Sequence, residues 1–380
     1  MTVSAWTRAL AAGAALSALA IGSAGAQTTF IANSFYNEAH PLSQYGYVQW
    51  AEIVEELSGG DLQPEVYTGT VLLEPRASLQ GIMDNVVQVA THPAVYTPSE
   101  LPVANAVQEL GFNYDDPLVA IMAVTEFSME NPIQLQEWED HGIVYLGAYA
   151  TPAYIIFCRE PVRNLEEIQG MRIRTAGSTV SQWVEQVGGI PVNVPSSEMY
   201  TGLERGTLDC ASNAPSDLIA RSLYEVAEHT TLLPTGMYWS GPHWGYNEEF
   251  WVSLSPEQRH ILMEATALSM ARLAINYVAE GDEALAQAVE LGGNVYEPEA
   301  DLIASVEEYR ARALEMAAVT AEETYGVEDG EALIADFVSY MDKWADLIAS
   351  VDRTDENALA ALAMQEIYDE IDPATYGVYE

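Results

Sequence analysis

Two arginines, Arg172 and Arg174, stand two residues apart in the short apolar stretch "GMRIRTAG" of a chain with 57 acidic and only 14 basic residues. Side chains alternate along a strand, so the two guanidinium groups share one face. An arginine so placed is either a solvated edge residue or a fixed positive charge aimed at an anion. Arg174 ends the stretch, just before the turn Thr175-Ala176-Gly177. In open α/β sheets ligands sit beyond the carboxyl ends of strands, where helix N-termini supply N–H donors and a positive dipole. Asn213 holds the equivalent place after "TLDCAS", and Ser196 and Ser197 are expected to cap a helix facing the same crevice. Arginine, asparagine and a helix N-terminus can together hold a carboxylate or sulfonate, with the guanidinium fork giving bidentate geometry. Arg172, farther from the strand end, reads as solvated or salt-bridged.

Motifs for catalysis do not occur. The chain has no HExxH, CxxC, GxSxG, Walker loop or GxGxxG. Its six histidines show no i, i+4 pairing of the kind that holds zinc. They read as structural or surface residues, His92 and His243 least firmly. Carboxylates are too numerous for any pair to stand out. The chain is therefore read as a binding protein and not an enzyme, with no metal and no cofactor.

The elements that must position these residues follow from the wider pattern. With 380 residues the chain exceeds the usual limit of one compact core, and 49% apolar residues suffice for two lobes. The opening "MTVSAWTRALAAGAALSALAIGSAGAQTT" has one positive charge, an apolar run of small residues and an Ala-Gly-Ala ending. It reads as a secretory signal over residues 1–26, cleaved after Ala26. The mature chain is then expected to be exported to the periplasm, with no lipid insertion. A formal net charge of −43 repels nucleic acid and anionic membranes, and its even spread fits a solvated, haloadapted surface. A small anion is not thereby forbidden, because salt screens distant charges within roughly 8 Å. The two cysteines, Cys158 and Cys210, form either one disulfide or two small buried residues.

"TTFIANS", "DLQPEVYTG" and "VVQVATHPA" read as strands that alternate with helices at "HPLSQYGYVQWAEIVEELSGG" and "PRASLQGIMDNV". The scheme repeats with strands at "GMRIRTAG", "IPVNVP" and "TLDCASN" and a helix at "STVSQWVEQV", for which Ser178 or Thr179 is the expected N-cap. Two α/β lobes in series with largely parallel sheets are expected. From about Pro256 to Ser350 the pattern changes to long helices rich in Ala, Glu and Leu.

The run "LEEIQGMRIR", the following "GGIPVNVPSSEMYTGLERGTLD" and the asparagine after it resemble the DctP-type solute receptors of tripartite ATP-independent periplasmic (TRAP) transporters. The likeness extends more loosely over "GTVLLEPRASLQGIMDNVVQVA" and the helical C-terminal part. It implies a two-lobed α/β periplasmic binding protein, type II-like, with hinge-crossing strands, a long connecting helix and a helical C-terminal part. Lobe I would comprise 27–154 and 242–283, and lobe II 155–241 and 284–380 with the C-terminal helices. The implied partners are a small organic anion and the membrane permease subunits of a TRAP transporter. Arg174 matches the family arginine that pairs with the ligand carboxylate, and Asn213 matches its polar neighbour. Ser196, Tyr154, His92, Trp239, Asn33 and Glu74 complete the candidate ligand-binding set.

Three features depart from the family pattern. Ser196 stands where many relatives have an aromatic residue, "DCASNAP" replaces the usual D-G-Q-E-N-P, and "AYATPAYIIFC" offers Tyr149 and Tyr154 but no second arginine. Aromatic residues such as Tyr36, Tyr96, Tyr238 and Trp244 either pack a core or line a site for an aromatic acid or a zwitterion with a cationic tail. A zwitterionic or sulfonated osmolyte as ligand, a role in feeding a sensor, and a periplasmic hydrolase stand as the alternatives.

Overall fold

The computed structural model describes residues 27–379, so the expected signal segment lies outside the described residues. The chain builds one sheet, crosses to build a second, and returns. β1 (Thr28–Ser34) pairs in parallel with β2 (Leu62–Thr68), Thr28 opposite Leu62, and with the two-residue β3 (Val89–Ala90). β4 (Ile143–Gly147) completes the outward path. The chain then enters the second sheet through β5 (Ile155–Cys158), β6 (Arg172–Thr175), β7 (Ile190–Asn193), β8 (Cys210–Asn213) and β9 (His229–Thr231). β10 (Trp244–Asn247) returns to the first sheet, and β11 (Asn294–Tyr296) adds an edge to the second. The orders are β2-β1-β3-β10-β4 and β11-β9-β5-β8-β6-β7.

Each sheet is parallel except at one strand. β10 runs antiparallel to β3 and β4, and β5 runs antiparallel to β8 and β9. These reversed strands are the ones by which the chain arrives from the other lobe. The carboxyl ends of the parallel strands in both sheets therefore converge on the cleft between the lobes, as the fold class requires for a ligand crevice.

Helices cover both sheets. α1 (Gln49–Leu57) buries Trp50, Ile53 and Val54 at helical spacing and stops before Gly59, which takes φ 60°. Beyond α2 (Pro102–Gln108), α3 (Pro117–Glu130) is apolar almost all round and lies deep in the first lobe, its N-terminus capped by Asp116. α4 (Ser178–Gln186) follows β6 in the second lobe. α5 (Pro256–Glu290) is the long connecting helix, opened by a Ser255–Gln258 capping box. Its earlier turns bury Leu262, Met270 and Leu273 in the first core, and its last turns pack Leu285 and Ala288 in the second.

The C-terminal helices depart from expectation. α6 (Ala300–Glu323) buries Leu302, Val306 and Tyr309 in the second lobe but Ala317 and Ala321 in the first. α7 (Gly330–Ile348) and α8 (Glu356–Ala363) belong to the first core, where Phe337 meets Phe127 edge-on and Trp344 Nε1 donates to Glu126. Placing all of 284–380 on the second lobe is thus at variance with the packing. The physical reason is α3, whose apolar surface needs covering on the side that α5 leaves open.

Cys158 and Cys210 face each other across β5 and β8 and are joined by a disulfide. The bridge staples the crossing strand to the strand that carries Asn213. Among the described residues no helix is long and apolar enough to cross a membrane.

Candidate functional site

The two arginines of β6 part company through register. Arg172 lies opposite Ile190 near the start of the strand, where Asp209 reaches it. Its Nε and Nη2 donate to the two carboxylate oxygens at 2.8 and 2.6 Å, and its side chain is 40% exposed. The Arg172 hydrogen bond holds the Asp209 carboxyl below its ordinary value. This is a surface ion pair.

Arg174 lies between Val192 of β7 and Ala211 of β8 and is only 1% exposed. Its Nε donates to the Val194 carbonyl at 3.1 Å, and its Nη1 to the Ser212 carbonyl and Asn213 Oδ1 at 3.2 and 3.3 Å. No hydrogen bond engages Nη2 and no carboxylate forms an ion pair with it among the described residues. An ion buried without its counter-charge costs several kcal/mol even after relaxation. The side chain lines a cavity between the lobes of about 320 Å³. Hydrogen bonds from Asn37 to the Ala220 carbonyl and from Ser196 to Tyr96 cross between the lobes beside it, so the lobes are closed on the site.

The second lobe supplies Arg174, Ala176, Ser196, Asn213 and Asp217 to this cavity. The first lobe and the crossover segments supply tyrosine rings: Tyr36, Tyr96, Tyr149, Tyr154 and Tyr238, with Tyr277 from α5. Burial pushes the hydroxyls of Tyr36, Tyr149, Tyr154, Tyr238 and Tyr277 well up, so they stay protonated and act as donors. The site is an aromatic box with one cation at its base.

Polar contacts tie the lobes together around the box. Ser196 N–H donates to the Tyr96 hydroxyl at 3.1 Å, and Asn37 Nδ2 donates to the Ala220 carbonyl at 2.7 Å. Asp217 is fully buried; Asn213 Nδ2 and Arg221 Nε both donate to its Oδ2, the latter at 3.2 Å. Burial alone would raise the Asp217 carboxyl, but the charge of Arg221, with that of Arg174, helps to hold the group below its ordinary value. His40, stacked on Tyr36 with ring centroids 4.4 Å apart, places Nε2 3.0 Å from Asp217 Oδ1. Burial lowers the His40 pKa, so the ring is neutral, and its Nδ1 accepts from Leu42 N–H at 3.1 Å. The ring proton then sits on Nε2, whose 3.0 Å approach to Oδ1 does not meet hydrogen-bond geometry. Arg221 lies over the Tyr36 ring at 5.2 Å and donates from Nη2 to Ser196 Oγ at 3.0 Å.

Of the residues singled out in the sequence, Arg174, Asn213, Ser196 and Tyr154 line the cavity. The other four do not. His92 is buried with Nδ1 3.0 Å from Ser78 Oγ and Nε2 2.8 Å from Thr97 Oγ1, and burial pushes it down to about 3. It is a neutral structural residue. Trp239 packs in the first core against Tyr114 and Phe337. Asn33 is buried on β1 between Tyr67 and Ala90. Glu74 is exposed in the loop before Pro75. The expected caps also differ. Ser196 caps nothing and serves instead as an acceptor for Arg221. α4 begins after Gly177, at φ 95°, and the buried Glu109 carboxylate accepts from the hydroxyls of Ser178 and Thr179 at its first turn.

His40, Asp217 and Tyr277 were missed. Only Asp217 left a local trace, the i, i+4 pair with Arg221 just after Asn213. Among the described residues no group of three or more His, Cys, Asp or Glu is arranged to hold a metal.

Comparison with known proteins adds the lineage. Residues 33–318 match the family model for DctP, bacterial extracellular solute-binding protein, family 7. A solute-binding protein of Albidiferax ferrireducens is 27% identical over 198 residues, covering 50% of this chain and 55% of the relative. The C4-dicarboxylate-binding periplasmic protein DctP of Rhodobacter capsulatus is 25% identical over 230 residues, covering 59% and 66%. The chain thus spans between half and two thirds of these relatives' lengths. A TRAP solute-binding protein from an unidentified marine microbe, specific for aromatic acid ligands, superposes with a TM-score of 0.74. It is 19% identical, and the match covers 84% of this chain and 99% of that one.

Proposed function

The chain belongs to the DctP family of bacterial extracellular solute-binding proteins, family 7, and on that premise we propose that it captures a small organic carboxylate between its two lobes. Arg174 carries the reading: a guanidinium 1% exposed, with one nitrogen unbonded and no ion-pair partner among the described residues, at the base of the inter-lobe cavity. A ligand carboxylate would supply the missing counter-charge, with Asn213 as a second polar contact. The tyrosine box suits an apolar or aromatic body, in keeping with the aromatic-acid specificity of the marine protein of the same fold.

Closure follows from geometry. A ligand held by Arg174 in the second lobe and by tyrosines of the first gains contacts to both only when the lobes meet, so binding favours the closed form. Micromolar affinity corresponds to about 8 kcal/mol, within reach of one charge-assisted pair and several hydrogen bonds. The chain would be exported by its N-terminal signal and hand its ligand to a TRAP permease, with its acidic surface adapted to salt. Native mass spectrometry of protein purified from its export compartment tests the binding role. A copurifying small carboxylate is expected, and an exclusively cationic or uncharged ligand overturns the assignment.

A further inference from the structure

We propose that the site selects monoanions over dianions, taking a monocarboxylate whose far end donates a hydrogen bond to Asp217 Oδ1. This rests on the carboxylate reading above and adds the ligand's net charge and second anchor. The charges at the cavity wall and immediately behind it can be counted. Arg174 lines the cavity and Arg221, outside the lining, stands behind it; Asp217 is the only carboxylate within ion-pair distance of either among the described residues, and of the two arginines it pairs with Arg221. His40 is neutral and the tyrosines are protonated, so the wall together with Arg221 carries one net positive charge. One carboxylate neutralises it.

A dicarboxylate would leave one negative charge in excess among lining side chains that are all buried, where solvent screens weakly. A zwitterion would leave the wall's positive charge in place. The second anchor is set by Asp217. Its Oδ2 is taken by Asn213 and Arg221, while Oδ1 is buried and makes no hydrogen bond, His40 Nε2 lying 3.0 Å away outside hydrogen-bond geometry. An acceptor left without a donor in a buried site costs its desolvation, about 1–3 kcal/mol or more for a charged group. A ligand hydroxyl or amide N–H would satisfy it. A second carboxylate at that end would face it charge to charge.

Calorimetry with matched probes decides: benzoate, 3-hydroxybenzoate and isophthalate on one skeleton, and butyrate, 3-hydroxybutyrate and succinate on another. On a skeleton that binds, the hydroxy acid is expected to bind most tightly and the diacid at least about tenfold more weakly. Asp217→Asn, which raises the wall by one positive charge, should shift the preference toward the diacid by about tenfold or more. Arg221→Gln, which lowers it by one, should shift it the other way. The wild-type series alone keeps the test decisive should a variant fail to fold. A diacid binding as tightly as its hydroxy acid overturns the proposal, as does an unchanged preference in folded Asp217→Asn, or binding of no monocarboxylate. Arg174→Gln separates the two levels. Diacid preference that disappears with Arg174→Gln sinks the charge selection alone, whereas tight binding that survives Arg174→Gln sinks the carboxylate reading itself.

Discussion

Replacing Arg174 should cost binding far more than replacing Arg172, although the two lie on one strand and share a face. In Arg174→Ala the ligand carboxylate enters a closed cavity and finds no cation. Truncating one partner of a buried, hydrogen-bonded charge pair costs about 2–5 kcal/mol, or roughly thirty- to several-thousand-fold in Kd. The fold is affected as well, because the Val194 and Ser212 carbonyls, which accept from Arg174 at 3.1 and 3.2 Å, lose their donor. Each unsatisfied carbonyl costs about 1–3 kcal/mol, offset in part by removal of a buried cation. Arg174→Lys keeps the charge and should recover only part of the affinity, since an ammonium cannot form the fork. Arg172→Ala breaks an ion pair whose arginine side chain is 40% exposed, and should change binding by less than about 1 kcal/mol. The assay is calorimetric titration with the copurifying ligand on all three variants, each first shown by thermal melting to be folded. Equal losses at both arginines, or none in folded Arg174→Ala, would falsify the reasoning.

Thiol titration of unfolded, unreduced protein should find no free cysteine, and Cys158→Ser with Cys210→Ser should destabilise the chain by about 4 kcal/mol, the loop-closure value for a sequence separation of 52. Two free thiols in the wild type would end that idea. Burial holds His92 and His243 down at about 3, below the ordinary unfolded value near 6.5. Their contribution to stability is therefore fully present above about pH 6.5 and is lost as pH falls toward 3, by at most about 1.4 kcal/mol per pH unit for each ring. His92→Gln should flatten this acid limb in denaturant titrations, and an unchanged slope counts against it. Burial pushes Glu137 up to about 7, so its contribution is present below about 4.5 and fades as pH rises to 7; Glu137→Gln should remove that opposing slope. With a formal net charge of −43, the melting temperature should rise from dilute buffer to molar NaCl, and a fall would refute screening as the source of stability.

Much of the scaffold was legible in local sequence. "TTFIANS" is the strand Thr28–Ser34, and the glycine stops at Gly59 and Gly188 adopt the positive φ that ends a helix. "VVQVATHPA" contributes only Val89–Ala90 to its sheet, because the chain turns away at Thr91 to build the wall that carries Tyr96. Arg174 and Asn213 were legible because strand ends mark the crevice whatever the remainder of the chain does. His92 and Trp239 lie off the cavity because they turn to local partners, Ser78 and Thr97 for the one and Tyr114 and Phe337 for the other, whereas Asn33 is buried on β1.

What the sequence determined by itself is what depends on backbone periodicity and neighbouring residues: α/β alternation, the long helix from Pro256, and an arginine at the carboxyl end of β6. What only the tertiary structure decided is what joins distant segments. An amphipathic stripe specifies that α7 is buried but not against which lobe, and α3 settles the matter with Phe127 and Glu126. His40 meets Asp217 only because the two lobes close, and Arg174 differs from Arg172 only because Asp209 reaches one of them. Charge pairing depends on distance in space, and sequence spacing records that distance only within a turn or a strand pair.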